Sequence, residues 1–324
     1  MAIVPLDGID IKPAIGISSC LLGQKVRYNG GHKKSSFCVN DLAPLVEFIP
    51  VCPEVGIGLG VPREPIRLVG GENVYRVQGT EHQDLDVTEP LEAYAKKKCS
   101  EIQGLSGYIL MQKSPSCGME RVKIYHPNGN PSGFSGSGIY ARTLMTQMPA
   151  LPVEEEGRLH DPVLRENFFT RVYAYKRWQQ LLADPPKYSD VVEFHGQHKY
   201  LLMAHYPQNY QNLGRYVAQG RHIPFDEFLD GYIRQFMDVL SHRANRKSHT
   251  NALLHLMGYV KKTVGGDDRQ RIMKVIETYR QGMVPLITPV SLLSHFLEQY
   301  GDDYVKKQVY LNPYPECLGL RNTI

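Results

Sequence analysis

Three cysteines stand where soft-metal chemistry could occur. Cys20 closes the run Ile15-Gly16-Ile17-Ser18-Ser19-Cys20, Cys52 lies in Phe48-Ile49-Pro50-Val51-Cys52-Pro53-Glu54, and Cys117 lies in Ser114-Pro115-Ser116-Cys117-Gly118. Each follows a short apolar run and enters a turn. A strand ending in cysteine presents its sulfur at the strand's carboxyl edge, so three such strands side by side would aim three thiolates at one point. Three thiolates are one short of the four that hold an ordinary iron–sulfur cluster, which would leave one iron open to a substrate. The neighbouring Pro and Gly keep the backbone open for a bulky inorganic group. Structural zinc usually takes ligands in closely spaced pairs, and none of these cysteines is so paired. A thioredoxin-type redox pair needs a C-x-x-C, which is absent. A single nucleophilic thiol stays open, and spacing does not decide between it and a metal. Cys38 lacks the strand–turn setting; Cys99 and Cys317 read as small apolar side chains.

The elements that must position these residues alternate strand and helix signals. Short apolar runs at 14–18 and 48–52 precede turns, and Arg67–Val69 and Val74–Val77 flank Gly70-Gly71-Glu72-Asn73 as a hairpin would. Thr88-Glu89-Pro90 opens a helix, with Leu91, Ala95 and Cys99 at helical spacing. Gly107–Met111 reads as a buried strand leading to Cys117, and the Gly-rich 129–138 precedes a short helix near 139–147. The pattern predicts an α/β domain over 1–148 with an open strand edge carrying the site. A Pro- and Glu-rich linker is expected over 149–160. Beyond it, Phe168, Val172, Tyr175 and Trp178–Leu182 follow helical periodicity, as do 225–240, 252–260 and 272–279, so 161–324 is expected to be an all-α domain.

Taken together, Ser18-Ser19-Cys20-Leu21-Leu22-Gly23, Val26-Arg27-Tyr28-Asn29-Gly30-Gly31, Val51-Cys52-Pro53-Glu54 and Lys113-Ser114-Pro115-Ser116-Cys117-Gly118 resemble the thiouracil desulfurase family over about residues 14–147. The resemblance implies that Cys20, Cys52 and Cys117 hold a [4Fe–4S] cluster. One departure is Asn29, where family members often carry Asp; an acid role there is not expected in this chain. Glu193–His205, Leu213-Gly214-Arg215 and Pro313-Tyr314-Pro315-Glu316 are similar to the helical domain often fused to this module. The two-domain form resembles bacterial tRNA thiouridine desulfidases, which act on 4-thiouridine.

Exchange of a thiocarbonyl sulfur for oxygen needs a thiophilic Lewis acid and a base for water. Glu54, two residues after a candidate ligand, is the candidate base; a loop-surface carboxylate or an ion pair with Arg63 is its competing reading. Ser114 and Ser116 flank the last ligand and are candidates to donate to substrate or cluster, against a plain turn-capping role. The second half has two stretches without acids. One, between Glu193 and Asp226, holds Lys199, Arg215 and Arg221; the other, between Asp238 and Asp267, holds Arg243, Arg246 and Lys247, the last three in an expected interhelical loop. Interleaved tyrosines suit phosphate contact with base stacking, and these six cations are the candidate RNA contacts. His195, His198 and His205, with Glu193 nearby, could hold zinc from one helix face; packed core histidines or base contacts are the competing readings.

Composition limits the alternatives. The chain has 324 residues, 42% hydrophobic and 22% charged, with a mild net charge of +4 that does not by itself imply nucleic acid. No apolar run approaches the ~20 residues of a membrane span. Met1–Lys12 lacks a secretory pattern, and six cysteines in a chain this long are not a disulfide framework, so a cytoplasmic protein with reduced thiols is expected. No obligate protein partner is implied. Beside a desulfidase of thiolated tRNA stand two competing readings: desulfuration of free thiouracil or a thionucleoside, and a non-catalytic iron–sulfur protein that binds RNA or senses redox state.

Overall fold

The computed structural model describes residues 12–323; Met1–Ile11, on which the leader reading rests, lie outside the described residues. The chain divides into two compact units at His160/Asp161.

In the first unit, strands β1 (Ala14–Ser18), β2 (Glu47–Val51), β5 (Gly107–Leu110) and β8 (Val153–Glu155) form a parallel sheet in the order β2-β1-β5-β8. β5 is buried along its whole length and β1 along all but Ala14. This is why both read as continuous apolar runs rather than alternating ones. A second sheet, β4-β3-β6-β7, is built from β3 (Ile66–Gly70), β4 (Tyr75–Gly79), β6 (Val122–Tyr125) and β7 (Pro131–Gly136). β3 and β4 are the expected hairpin. Helices α1 (Pro53–Gly56), α2 (Thr88–Glu101) and α3 (Ile139–Gln147) complete the unit. Leu91 of α2 and Ile139 of α3 join Leu68, Val77 and Ile124 in one buried cluster over the second sheet.

Two segments differ from expectation. Residues 131–136, expected only as part of a Gly-rich stretch before a helix, form the edge strand β7, whose Pro and two glycines mask its strand character. Residues 149–160, read as a linker, belong to the first unit because Val153–Glu155 pairs with β5 and is buried. Its acids are satisfied inside: Glu154 accepts from Arg158 Nε at 2.7 Å and Glu155 from the Met119 amide at 2.9 Å.

The second unit is all helical: α4 (Pro162–Leu181), α5 (Tyr188–Gln197), α6 (Lys199–His205), α7 (Pro207–Gln219), α8 (Phe225–Ser241), α9 (Arg246–Val260), α10 (Gly266–Arg280), α11 (Ile287–Tyr300) and α12 (Asp303–Lys306). Its core is aromatic: Phe194 lies 5.4 Å from Trp178 and 5.2 Å from Phe236, ring to ring. Among the described residues, no helix is long and apolar enough to cross a membrane.

The amino end of α3 docks directly on the turn that carries Cys117. Gly138 N donates to Gly118 O at 2.8 Å and Ala141 N to Ser116 O at 3.1 Å. A Cβ on Gly138 would lie 2.5 Å from Ser116 backbone atoms and 2.8 Å from Cys117 N. Gly138→Ala is therefore expected to lower unfolding free energy by about 1–3 kcal/mol in chemical denaturation. Gly104→Ala, where a Cβ meets nothing within 4 Å, is expected to stay within about 0.5 kcal/mol of the parent.

Candidate iron–sulfur site

β2, β1 and β5 are adjacent and parallel, so their carboxyl ends share one edge, where a crevice forms in open α/β sheets. Each delivers one cysteine. Cys20 follows β1 in a 3₁₀ turn (Ser19–Leu22), Cys52 follows β2 as the N-cap of α1, and Cys117 lies in the turn beyond β5. All three line a single cavity of about 150 Å³. Cys38 and Cys99 are buried away from this lining, and Cys317 is exposed in the other unit.

Burial dominates the thiol chemistry. It pushes the Cys20 thiol up to about 11, with the Cys52 sulfur adding to the rise. Cys52 is raised chiefly by burial, and Cys117 is raised further still, by burial first and then by the Glu54 carboxylate, with Cys52 contributing. Cys52 thus couples electrically to both other sulfurs. A desolvated thiol is neutral at pH 7 and a poor nucleophile, which disfavours the single reactive cysteine. A soft metal centre reverses this, because coordination deprotonates the thiol and compensates its charge. The lining holds three cysteine thiols, with the Met111 thioether beside them, and no histidine. That donor set fits a thiophilic metal group held from one side.

Glu54 sits beside the sulfurs with both carboxylate oxygens engaged. Oε2 accepts from Arg63 Nε at 3.0 Å and Nη2 at 2.5 Å; Oε1 accepts from Ser116 Oγ at 2.5 Å. Arg63 is itself anchored, donating to Gly60 O at 3.0 Å and Val26 O at 2.9 Å. Ser114 Oγ lies 3.0 Å from Ser116 Oγ and accepts from the Cys117 amide at 3.1 Å. With the Ser116 proton directed at Glu54, Ser114 is the donor of the pair. The result is a relay, Ser114 to Ser116 to Glu54, along the wall that carries Cys117. The ion pair expected as the competing reading for Glu54 is present, and the same carboxylate lines the cysteine cavity.

Arg27 and Tyr28 also line the cavity, with the guanidinium 5.6 Å from the Tyr28 ring centre. The sequence reading gave them no role although their motif stood out. Asn29 is not among the lining residues; its Oδ1 accepts from Gly31 N at 3.1 Å, a local turn.

In the second unit the six candidate RNA contacts are spread over several elements rather than one loop. Lys199 begins α6 with its ammonium 5.2 Å from the Tyr200 ring, Arg215 is on α7, and Arg221 lies 5.1 Å from the Tyr188 ring in the turn before α8. Arg243 is in the α8–α9 connection, while Arg246 and Lys247 already belong to α9. All but the half-buried Lys199 are exposed, and among the described residues none pairs with a carboxylate.

The histidines do not share one helix face. The helix is interrupted at His198, between α5 and α6. His198 Nδ1 donates to Phe194 O at 2.7 Å and His205 Nδ1 to His242 O at 2.7 Å, while the His195 ring stacks on Tyr210. Glu193 is engaged by Gln197 and Lys307. Among the described residues this group offers no zinc site; these are packed core rings. Burial lowers His195 to about 4 and His198 to about 3 from an ordinary 6.5. As pH falls below 6.5, the unfolded chain therefore takes up protons first, and stability is lost across the window down to about pH 4. Trp178, the single tryptophan, reports this unit. Its thermal transition is expected to shift downward between pH 7 and pH 4.5, and His198→Asn, which keeps a donor for Phe194 O, should flatten that dependence.

Comparison with known proteins places the two units separately. A family model described as 2-thiouracil desulfurase matches residues 15–156, and one described as a protein of unknown function (DUF1722) matches 199–315. The uncharacterized protein YbbK of Bacillus subtilis (strain 168) is 33% identical over 153 residues, 45% of this chain and 97% of that protein. The uncharacterized protein YbgA of Escherichia coli (strain K12) is 28% identical over 156 residues, 47% of this chain and 91% of that protein. Among solved structures, the [4Fe-4S]-dependent thiouracil desulfidase TudS is 34% identical, covering 48% of this chain and 98% of its own, with a TM-score of 0.38.

Proposed function

The chain belongs to the 2-thiouracil desulfurase family, and from that premise we propose that it exchanges the sulfur of a thiolated uracil for oxygen at a [4Fe–4S] cluster held by Cys20, Cys52 and Cys117. The observation that carries the reading is that three cysteines from adjacent strand ends, Cys20 and Cys117 buried and Cys52 half-buried, line one cavity. A cluster with three protein ligands supplies an open, thiophilic iron to a thiocarbonyl. The overall change is a hydrolysis: one water enters, C=S becomes C=O, and hydrogen sulfide leaves, with no net electron transfer.

The chain's own residues meet the remaining demands. Glu54 Oε1 faces only a neutral hydroxyl donor, whereas Oε2 is held by the Arg63 cation, so Oε1 is the atom that accepts the proton of the incoming water. Ser116 and Ser114 carry that proton along the Cys117 wall and donate to the uracil ring. Arg63 positions the carboxylate. Tyr28, partly exposed at the cavity, offers a flat apolar face for a pyrimidine, with Arg27 against it.

The substrate is 4-thiouridine in tRNA. Support comes from the resemblance of the two-domain form and from the exposed, acid-free cations Arg215, Arg221, Arg243, Arg246 and Lys247 of the helical unit. The base must leave its stack to reach a buried cluster, a cost of a few kcal/mol that backbone contacts offset.

Anaerobically prepared protein should carry about four irons and about four sulfides per chain, and Cys→Ser at position 20, 52 or 117 should abolish the charge-transfer absorbance. Glu54→Gln should keep that absorbance and lose about 10²-fold or more in sulfide release. A colourless, iron-free protein with full activity would overturn the cluster, and undiminished turnover by Glu54→Gln would remove Glu54 from the chemistry. Thiolated tRNA should be turned over in preference to free 4-thiouracil; the reverse would make the free base the substrate. A cluster without sulfide release from any thiobase would mark a sensor.

A further inference from the structure

A second cavity, of about 470 Å³, opens in the first unit beside the cysteine cavity. The two share Ile66 and Pro115 as wall, and Lys113 of the second directly precedes Ser114 of the first. Its lining includes Arg67, Lys113, Arg121 and Lys123, with Tyr125 and Thr80, and no acidic residue. We infer that this is a groove for the sugar–phosphate backbone of RNA, holding the strand that flanks the thiolated base; the inference rests on the polynucleotide reading above.

Three further observations support it. First, Lys113 and Arg121 have φ of 59° and 56°, and they are the non-glycine residues with positive φ among the described residues. A left-handed backbone is unfavourable for an L-residue and nearly free for glycine. Both strained positions carry a cation, and both line the same groove. Strain kept at a polar side chain points to use of that side chain.

Second, the charge there is largely unspent. Among the described residues, Lys113 and Lys123 pair with no carboxylate, and Arg67 Nε is buried without a hydrogen-bond partner. Arg121 Nε lies 3.5 Å from Glu120 Oε1, but that same oxygen accepts from Arg158 Nη1 at 2.7 Å.

Third, the groove has an aromatic platform. The Arg67 guanidinium lies 5.6 Å from the Tyr125 ring centre, so a half-buried tyrosine stands among four cations. Cations that follow a backbone, together with a ring on which a flanking base stacks, are how single-stranded nucleic acid is held. A free thiobase has no phosphate and would leave this groove without a task.

The test compares the full-length holoenzyme with the double variant Arg121→Asn/Lys123→Gln. Asn tolerates the left-handed backbone, and both side chains are exposed, so folding and cluster absorbance should be retained. On tRNA containing 4-thiouridine, kcat/KM is expected to fall about tenfold or more at low salt. The slope of log(kcat/KM) against log[salt] should become shallower by roughly 1.4, about 0.7 for each lost single-strand phosphate contact. Turnover of the free nucleoside 4-thiouridine should stay within about twofold.

Equal turnover of tRNA by parent and variant would overturn the groove while leaving the tRNA substrate intact. Equal losses on tRNA and nucleoside would also overturn it, as a structural effect. A parent enzyme that releases sulfide from nucleoside but not from tRNA would overturn the polynucleotide reading and the groove together. Binding of an unthiolated single-stranded oligouridine, followed by fluorescence anisotropy, gives a readout free of turnover. The double variant should bind more weakly, and equal binding, or equal competition by polyglutamate, would overturn the assignment to RNA.

Discussion

The first unit is organised around one constraint: three largely desolvated thiols share the carboxyl edge of a parallel sheet. Left as thiols they are inert, because burial keeps them protonated. They become useful only to a centre that binds sulfur strongly enough to displace three protons. The same desolvation that suppresses nucleophilic chemistry strengthens every electrostatic contact a bound centre and its substrate would make. The surrounding parts follow from this. β1, β2 and β5 bring the three cysteines to one edge, α1 starts at Cys52 and brings Glu54 round to the Cys117 wall, and α3 braces the Cys117 turn through Gly138.

Glu54 shows how such a wall assigns unlike roles to two atoms of one group. Arg63 occupies one oxygen and is itself fixed by the carbonyls of Val26 and Gly60, so it cannot follow the carboxylate if it turns. The other oxygen faces a line of two serine hydroxyls. The charged contact fixes the carboxylate's orientation, and the other oxygen is met by a neutral hydroxyl alone.

Much of this was legible in the sequence, because the signals are local. Apolar runs ending in cysteine located the strand ends, and helical periodicity after residue 160 gave the second unit its class. What escaped had opposing local signals. Glu154 and Glu155 look solvent-facing, yet Arg158 and the Met119 amide satisfy them inside a strand. Pro131, Gly133 and Gly136 disguise β7. The histidines at 195, 198 and 205 have one-helix spacing, but the helix breaks at His198. The basic groove was invisible for a different reason: Arg67 lies far in sequence from Lys113, Arg121 and Lys123, and the left-handed backbone at Lys113 and Arg121 leaves no compositional trace.

The placement of β8 has a consequence for the autonomy of the catalytic half. Its three residues cap the flank of β5, whose backbone would otherwise be the bare margin of a hydrophobic parallel sheet. A polypeptide cut at residue 148 would retain all three cysteines yet expose Tyr108, Ile109 and Leu110 as an unprotected template for strand addition, a recognised route to self-association. The indivisible piece therefore extends through His160, and a gene fusion or proteolytic scission that respects it can release an intact module, whereas one falling a dozen residues earlier yields an aggregate.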